Sequence, residues 1–197
     1  MDQSMIIYQC ESPNLNSHEL QRLVLGHYLE TSPDNIVIDR KKKPTCTSHP
    51  VEFSVSHTQK AFVMAVHHSP VGIDIESLSR NIPIAVFNRQ RTSPIHDLDA
   101  PPWEHPSLTP TQKKIWHWTR WEAHCKLMGT GLRFPICPQP PSHLMSFVWR
   151  DLCLSVACQA HDDAPKFLGL TANQNVDPPF DKTLKWSTHN DAIWPLH

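Results

Sequence analysis

Three carboxylates and a lysine have the types and spacing of a site that binds a divalent cation beside a phosphate group. Asp74 and Glu76 stand two residues apart in a segment that alternates as a β-strand does, residues 71–76. Because successive strand side chains point to opposite faces, both carboxylates lie on one face, about 7 Å apart. Glu122 and Lys126 are four residues apart in a helical segment and share one helix face. Mg²⁺ prefers oxygen ligands and a lysine neutralises phosphate, so this set predicts metal-assisted phosphate chemistry.

Each half of this set also has a simpler structural interpretation. Taken alone, Asp74 and Glu76 are consistent with solvent-facing residues of an edge strand. Glu122 and Lys126 are consistent with an ion pair on one helix, worth about 0.3 to 0.5 kcal/mol. His57 is consistent with a hydrogen-bonded strand histidine. The functional interpretation is favoured only because these residues occur together with further motifs.

Periodicity predicts the elements that must position these residues in the first part of the chain. Apolar residues at helical spacing predict a helix over residues 18–30, with Ser17 as its N-cap. The basic run at 40–43 predicts a loop. The last three of four predicted strands form an antiparallel meander, which ends in the strand that carries the two acids. The four strands are residues 36–38, 52–57, 61–66 and 72–76.

The second part of the chain begins with a proline-rich segment. Residues 80–111 predict mostly loop, with one helical turn near residues 84–87. A single helix is predicted over residues 110–128, capped by Thr109 and ended by Gly129.

A second hairpin, residues 145–149 and 152–157, weakly repeats the first. This repetition is consistent with a pseudo-duplicated α+β fold. The tail is polar and aperiodic, and we expect it to be loosely attached or partly disordered. The predicted division is an N-terminal half (1–76), a Pro-rich connection (77–111), a C-terminal half (112–160) and an irregular tail (161–197).

Composition argues against several classes of function. Lys and Arg (18) nearly balance Asp and Glu (19), which argues against a nucleic-acid-binding protein with a strong basic field. The sequence lacks an apolar run of about 18 residues, so no membrane-spanning segment is predicted. Its first residues do not have the pattern of a signal peptide, and we expect a cytoplasmic protein. Six scattered cysteines indicate reduced thiols, and fourteen histidines leave open a histidine-rich metal-storage or sensor protein.

Several motifs in a fixed order carry a resemblance to a known family. They are Lys43-Pro44, Phe53-Ser54-Val55-Ser56-His57-Thr58, Gly72-Ile73-Asp74-Ile75-Glu76, and Trp118-Thr119-Arg120-x-Glu122-Ala123-x-x-Lys126 followed by Leu127-x-Gly129-Thr130-Gly131-Leu132. Across roughly residues 43–132 the chain resembles the 4′-phosphopantetheinyl transferase superfamily, in its surfactin-synthetase-activating, pseudodimeric type. The resemblance implies a monomer with a pseudo-duplicated α+β fold, in which antiparallel sheets are each packed by a helix.

The resemblance also implies a reaction. The phosphopantetheine arm of coenzyme A moves to a serine of an acyl or peptidyl carrier protein, with Mg²⁺ (or Mn²⁺) neutralising the pyrophosphate. The implied metal ligands are Asp74, Glu76 and Glu122, and the implied catalytic residues are Glu122, as the base for the serine proton, and Lys126, which also meets a phosphate oxygen. By the same resemblance Ser56 and His57 hold the 3′-phosphate of coenzyme A, with added charge from Lys43.

The sequence departs from the family pattern at several positions. Trp121 stands where the family has a lysine that reaches coenzyme A phosphates, and Lys42 replaces a glycine before Lys43-Pro44. The arginine that the family places upstream is not found in register, and proline-rich sequence replaces the acidic helix after Glu76. These departures favour an alternative function: a degenerate, non-catalytic relative that binds coenzyme A or a carrier protein.

Overall fold

The computed structural model describes residues 4–11, 16–83, 108–132, 143–159, 165–171, 185–188 and 194–196, and it is a mixed α+β structure. Its helices are α1 (Ser17–Tyr28) and α2 (Pro110–Met128), and a short 3-10 helix spans Pro33–Asn35. The strands are β1 (Ile6–Glu11), β2 (Ile38–Asp39), β3 (Thr45–Cys46), β4 (Glu52–His57), β5 (Ala61–His67), β6 (Val71–Ser77), β7 (His143–Trp149), β8 (Leu152–Cys158), β9 (Lys166–Thr171), β10 (Lys185–Thr188) and β11 (Trp194–Leu196). The helical turn predicted at 84–87 lies outside the described residues.

The strands form two main sheets and a small two-stranded ladder. The first sheet has the order β10-β9-β1-β5-β4, with β9 parallel to β1 and the other pairs antiparallel. The second sheet is antiparallel throughout, with the order β11-β7-β8-β6. The ladder joins β2 to β3.

The two sheets and two helices stack as four layers. Strand β5 is buried on both faces: Phe62 and Met64 pack with α1, whereas Ala61 and Val63 pack with the second sheet. The far face of the second sheet is covered by α2, in a cluster that includes Cys153 of β8. Among the described residues, each sheet therefore carries one helix on its outer face, and the largest core cluster lies between the sheets.

The helix limits follow from local capping. The predicted Ser17 cap of α1 is wrong by one residue, because Asn16 Oδ1 accepts from the backbone N–H of His18 at 2.8 Å. The predicted cap of α2 is confirmed: Thr109 and Gln112 form a reciprocal capping box. Gly129 ends α2 in the left-handed region, at φ +65°.

The predicted meander is wrong at its third strand. Strand β6 pairs with β8 in the second sheet and not with β5. Its apolar residues Ile73 and Ile75 meet β5 face to face across the core. On its other edge, the backbone N–H of Ile73 donates to Ser54 Oγ of β4 at 3.1 Å. The two sheets therefore approach along β4 and β6, which brings β4 beside the acidic strand.

The predicted irregular tail is wrong where the structure describes it. Strand β9 adds to the free edge of β1, and β10 pairs with β9. Strand β11 pairs with β7. The apolar run Phe167-Leu168 is too short to show the alternation typical of a strand. Its strand conformation therefore depends on the pairing of β9 with β1. Among the described residues, neither helix is both long and apolar enough to span a membrane.

Candidate functional site

The three predicted metal ligands meet between β6 and α2. One carboxylate oxygen from each of Asp74, Glu76 and Glu122 lies within 4.8 Å of the others, and we call these residues the acidic triad. Asp74 is 2% exposed, whereas Glu76 and Glu122 are partly exposed. The sequence prediction that these acids converge is met by this geometry. The alternative of two solvent-facing strand residues is wrong for Asp74.

Close packing of α2 on β6 brings Glu122 to the strand. Gly72 shares the face of β6 that carries Asp74, and it lies directly against the helix backbone. A Cβ at Gly72 would overlap the carbonyl oxygen of Ala123 and the backbone nitrogen of Leu127. Only glycine therefore allows this separation between strand and helix.

Asp74 is held by two donors from other elements. Its Oδ1 accepts from Ser56 Oγ and from Lys126 Nζ, each at 2.8 Å. Its Oδ2 is buried and has no donor among the described residues while Glu122 is ionised, whereas a protonated Glu122 can hydrogen-bond to Asp74. A buried carboxylate oxygen without a donor is costly unless a cation or a proton satisfies it.

Lys126 connects the three elements of the site. Besides Asp74, its Nζ donates to the Val55 carbonyl oxygen of β4 at 3.3 Å. Its ion partner is thus on β6, and not the Glu122 of its own helix. The simple interpretation of Glu122 and Lys126 as a helix ion pair is replaced by a contact across elements.

The closeness of the three carboxylates affects the protonation of Glu122. Burial, followed by the negative charge of Asp74, raises the pKa of Glu122 to about 8, although Lys126 and Arg80 oppose the change. In the metal-free protein the triad therefore relieves its repulsion by keeping a proton on Glu122 near neutral pH. A bound divalent cation would remove that need, since metal ligation requires the ionised carboxylate.

A second cation, missed in the sequence analysis, lies at the triad. Arg80 Nη1 forms an ion pair with Glu76 Oε1. The Arg80 guanidinium also lies 5.7 Å from the centroid of the Trp118 ring. The sequence signal for this pair was the spacing of four residues between Glu76 and Arg80. It was missed because the proline content of the segment predicted a loop.

A cleft of about 710 Å³ opens beside Lys126, between the end of α2 and β4. Lys43 and Lys126 give it two cationic side chains, and Lys42 is also at its wall. Burial lowers the pKa of Lys43, and the negative charge of Glu52, 3.7 Å away, partly offsets this decrease. The remaining described lining is Pro44, Phe53, Ser54, Val55, Cys125, Gly129, Thr130 and Gly131.

The residues assigned to the 3′-phosphate are not equally placed. Lys43 lines the cleft, and its Nζ donates to the Val71 carbonyl oxygen at 3.1 Å. Ser56 is buried and its hydroxyl donates to Asp74, so in this structure it supports the triad. His57 is exposed at the end of β4. Neither Ser56 nor His57 lines the described cleft.

Trp121 and its neighbour Arg120, at the position where the family that the chain resembles has a lysine, point away from the triad. Trp121 is 2% exposed in the cluster beneath α2, with its ring centroid 5.3 Å from that of Trp118. Arg120 is also buried and donates to the Leu144 carbonyl oxygen and to Ser146. Arg120 therefore does not replace the lysine charge at the triad.

No protein-family model matches the chain, and no curated protein matches it. The interpretation of the site therefore depends on its own geometry and on the motifs that carry the resemblance.

Proposed function

We propose that the chain is a Mg²⁺-dependent 4′-phosphopantetheinyl transferase of the pseudodimeric type, acting in the cytoplasm as a monomer. It would transfer the phosphopantetheine arm of coenzyme A to a serine of an acyl or peptidyl carrier protein. The observation that carries this proposal is the acidic triad, in which the buried Asp74 Oδ2 has no donor when all three carboxylates are ionised.

The donor set suits the metal. Three carboxylates from a strand and a helix offer hard oxygen ligands, which Mg²⁺ and Mn²⁺ both accept. The described triad contains no thiolate or imidazole of the kind that would favour zinc. When bound, the cation would neutralise charge on the pyrophosphate of coenzyme A.

The reaction breaks a phosphoanhydride bond and forms a phosphoester bond. The serine oxygen of the carrier protein forms a bond to the pantetheine-side phosphorus. The bond from that phosphorus to the bridging oxygen breaks, and adenosine 3′,5′-bisphosphate leaves with the electron pair. We assign the serine proton to Glu122, which would act as the base. Lys126 lies between the triad and the cleft and is suited to a phosphate oxygen.

The cleft supports the same assignment. Its volume of about 710 Å³ suits a nucleotide-sized ligand. Lys43 lies 3.1 Å from a carbonyl and 3.7 Å from Glu52, so its ammonium is held at the wall rather than extended into solvent. We assign the cleft to coenzyme A, with Lys43 as a phosphate contact and with Ser56 as a support for Asp74.

The test is mass spectrometry of an apo acyl carrier protein and an apo peptidyl carrier protein after incubation with this protein, coenzyme A and Mg²⁺. A gain of one phosphopantetheine arm, lost on addition of EDTA and in Glu122→Gln, is the expected result. Asp151→Asn is the matched control, because Asp151 is a carboxylate of a surface ion pair with Lys60. Transfer that survives EDTA and Glu122→Gln would refute the metal-dependent mechanism.

One observation favours the non-catalytic alternative. Trp121 fills an apolar cluster, so the phosphate contact that the family makes from this position is absent. A degenerate relative would bind coenzyme A, seen by calorimetry, but would modify neither carrier protein. That combination of results would replace the transferase proposal with a binding function.

A further inference from the structure

Arg80 is fixed by the chain on both sides of it. Leu78 and Ile82 are buried in the cluster beneath α2, so the segment after β6 is anchored at two points. The backbone N–H of Leu78 donates to the Asp151 carbonyl oxygen at 2.7 Å, and that of Arg80 donates to the Ser77 carbonyl oxygen at 2.9 Å. The arginine is therefore presented to the triad by local structure.

The aromatic pair beneath α2 supports the guanidinium. Arg80 lies over Trp118, and Trp118 packs against Trp121. The residue that replaces the family lysine thus stabilises the ring over which another cation lies. A positive charge reaches the triad from the end of β6, rather than from position 121 on α2.

The partner of Arg80 is itself a member of the triad. Glu76 pairs with Arg80, yet a divalent cation would need the same carboxylate. A cation on Glu76 would cancel the attraction that holds Arg80 there, because the two positive charges would compete for one carboxylate. The guanidinium would keep its five N–H donors, which suit a phosphate oxygen.

We propose that Arg80 binds a phosphate oxygen of the substrate when a divalent cation occupies the acidic triad, and pairs with Glu76 only in the metal-free protein. This inference rests on the metal site of the proposed function and is independent of the identity of the carrier protein. It adds a substrate-binding residue from the segment that directly follows β6.

Arg150 provides a matched control for Arg80. Like Arg80, it is an exposed arginine that pairs with a glutamate, Glu11, and lies over an indole, Trp149, at 6.0 Å. Trp149 belongs to the core between the sheets, whereas Trp118 belongs to the opposite face of the second sheet. Arg150→Ala therefore removes the same kinds of contact without touching the triad.

The experiment compares wild type, Arg80→Ala, Arg80→Lys and Arg150→Ala in two binding assays. Mn²⁺ binding is followed by electron paramagnetic resonance, and coenzyme A binding in saturating Mn²⁺ is followed by calorimetry. Arg80→Ala should bind coenzyme A about ten- to hundredfold more weakly, the weight of a charge-assisted hydrogen bond. Its affinity for Mn²⁺ alone should equal or exceed that of wild type, because a competing cation is gone. Arg80→Lys should be intermediate, and Arg150→Ala should match wild type in both assays.

Two results would overturn the assignment of Arg80 alone. An unchanged affinity for coenzyme A in Arg80→Ala would show that the guanidinium does not meet the substrate. A parallel fall in both affinities would show that Arg80 acts only by positioning Glu76. If wild type binds no Mn²⁺ that Asp74→Asn abolishes, the metal site of the proposed function fails, and the role of Arg80 fails with it.

Discussion

Each of the two main sheets is covered by one described helix, but the two helix–sheet interfaces bury different kinds of side chain. Between α1 and the first sheet the contacts are mainly apolar: Leu20 and Val24 meet Tyr8 and Phe62. One polar contact here is Tyr8 OH, 3.0 Å from His27 Nδ1. Such an interface stabilises the fold through the burial of apolar area and leaves few groups able to react.

Between α2 and the second sheet the interface mixes apolar and ionisable groups. Thr119 and Ser146 are hydrogen-bonded to Ser155 at 2.8 and 2.9 Å. The acidic triad is formed by the same helix and by the neighbouring strand β6, where Asp74 pairs with Ser155. Burying carboxylates costs free energy that only donors, protons or cations offset. The comparison teaches that one layer stabilises the molecule while the other retains groups for chemistry.

Asp74→Asn should have the largest effect, because it removes the chemistry of the α2 layer while leaving the fold intact. The substitution keeps the shape of the side chain but removes the charge that Lys126 and the proposed metal share. Metal affinity should fall by more than the about ten- to hundredfold typical of residues behind a ligand. Carrier modification should be lost, while circular dichroism should show a folded protein. Mn²⁺ binding equal to that of wild type would remove Asp74 from the metal site.

Trp121→Lys tests the apolar part of the same layer. The family that the chain resembles has a lysine at this position, but here a lysine side chain would enter the cluster of Trp118, Leu78 and Ile82. We expect a loss of about 3 to 5 kcal/mol in the free energy of unfolding, the cost of truncating a buried aromatic residue.

Denaturant unfolding measures this loss, and Trp116→Lys is the control because Trp116 is only half-buried. Unchanged stability, together with tighter binding of coenzyme A, would show that the lysine reaches the cleft. The buried position of Trp121 in the wild type would then not prevent a lysine at this position from binding phosphate.

Local patterns predicted most of the elements around the site. The alternation of Ile73, Asp74 and Ile75 fixes which face of β6 is apolar, and Thr109 and Gly129 mark both ends of α2. These signals are local because they depend on the period of one element and on its capping residues. The convergence of the triad was predicted through a resemblance that joins distant motifs.

Contacts between elements were not predictable from these patterns. The sequence of residues 61–76 does not indicate which sheet β6 joins. The turn between β5 and β6 allows β6 either to pair with β5 in the first sheet or to cross to the second sheet. The partner of Lys126 is Asp74 rather than Glu122 because α2 lies close to β6 at Gly72. Arg80 was missed because proline content assigned its segment to loop, and loop assignment does not place side chains.

Gly72→Ala should separate α2 from β6. The added methyl group would overlap backbone atoms of Ala123 and Leu127, which cannot move independently of the helix. We expect a loss of about 1 to 3 kcal/mol in stability and weaker Mn²⁺ binding, because Glu122 moves away from Asp74.

Gly26→Ala is the matched change in the other layer. A Cβ at Gly26 would lie 2.9 Å from the Thr31 carbonyl oxygen and 3.2 Å from Pro33 Cγ. Gly26→Ala should alter stability, measured by denaturant unfolding, but leave Mn²⁺ binding unchanged. Equal loss of metal binding in both variants would mean that global destabilisation, and not the local separation, controls the site.

The smallest expected effect is a pH dependence that arises in the α2 layer. Burial and the charge of Asp74 raise the pKa of Glu122 to about 8 in the metal-free protein. A carboxyl group with a raised folded-state pKa stabilises the fold fully below its unfolded pKa, and this contribution is lost as the pH rises toward 8. In EDTA, wild type should lose about 1 kcal/mol relative to Glu122→Gln between about pH 7 and 8.

Glutamine is the appropriate reference because it keeps the neutral form at every pH. Denaturant unfolding of both proteins in EDTA gives the difference directly, and pH effects elsewhere in the chain cancel. Saturating Mg²⁺ should reverse the trend for wild type, since ligation favours the ionised Glu122 and binding then improves as the pH rises. Parallel profiles for the two proteins in EDTA would mean that Glu122 is already ionised at neutral pH. Lys126 and Arg80 would then be sufficient to balance the triad without a proton.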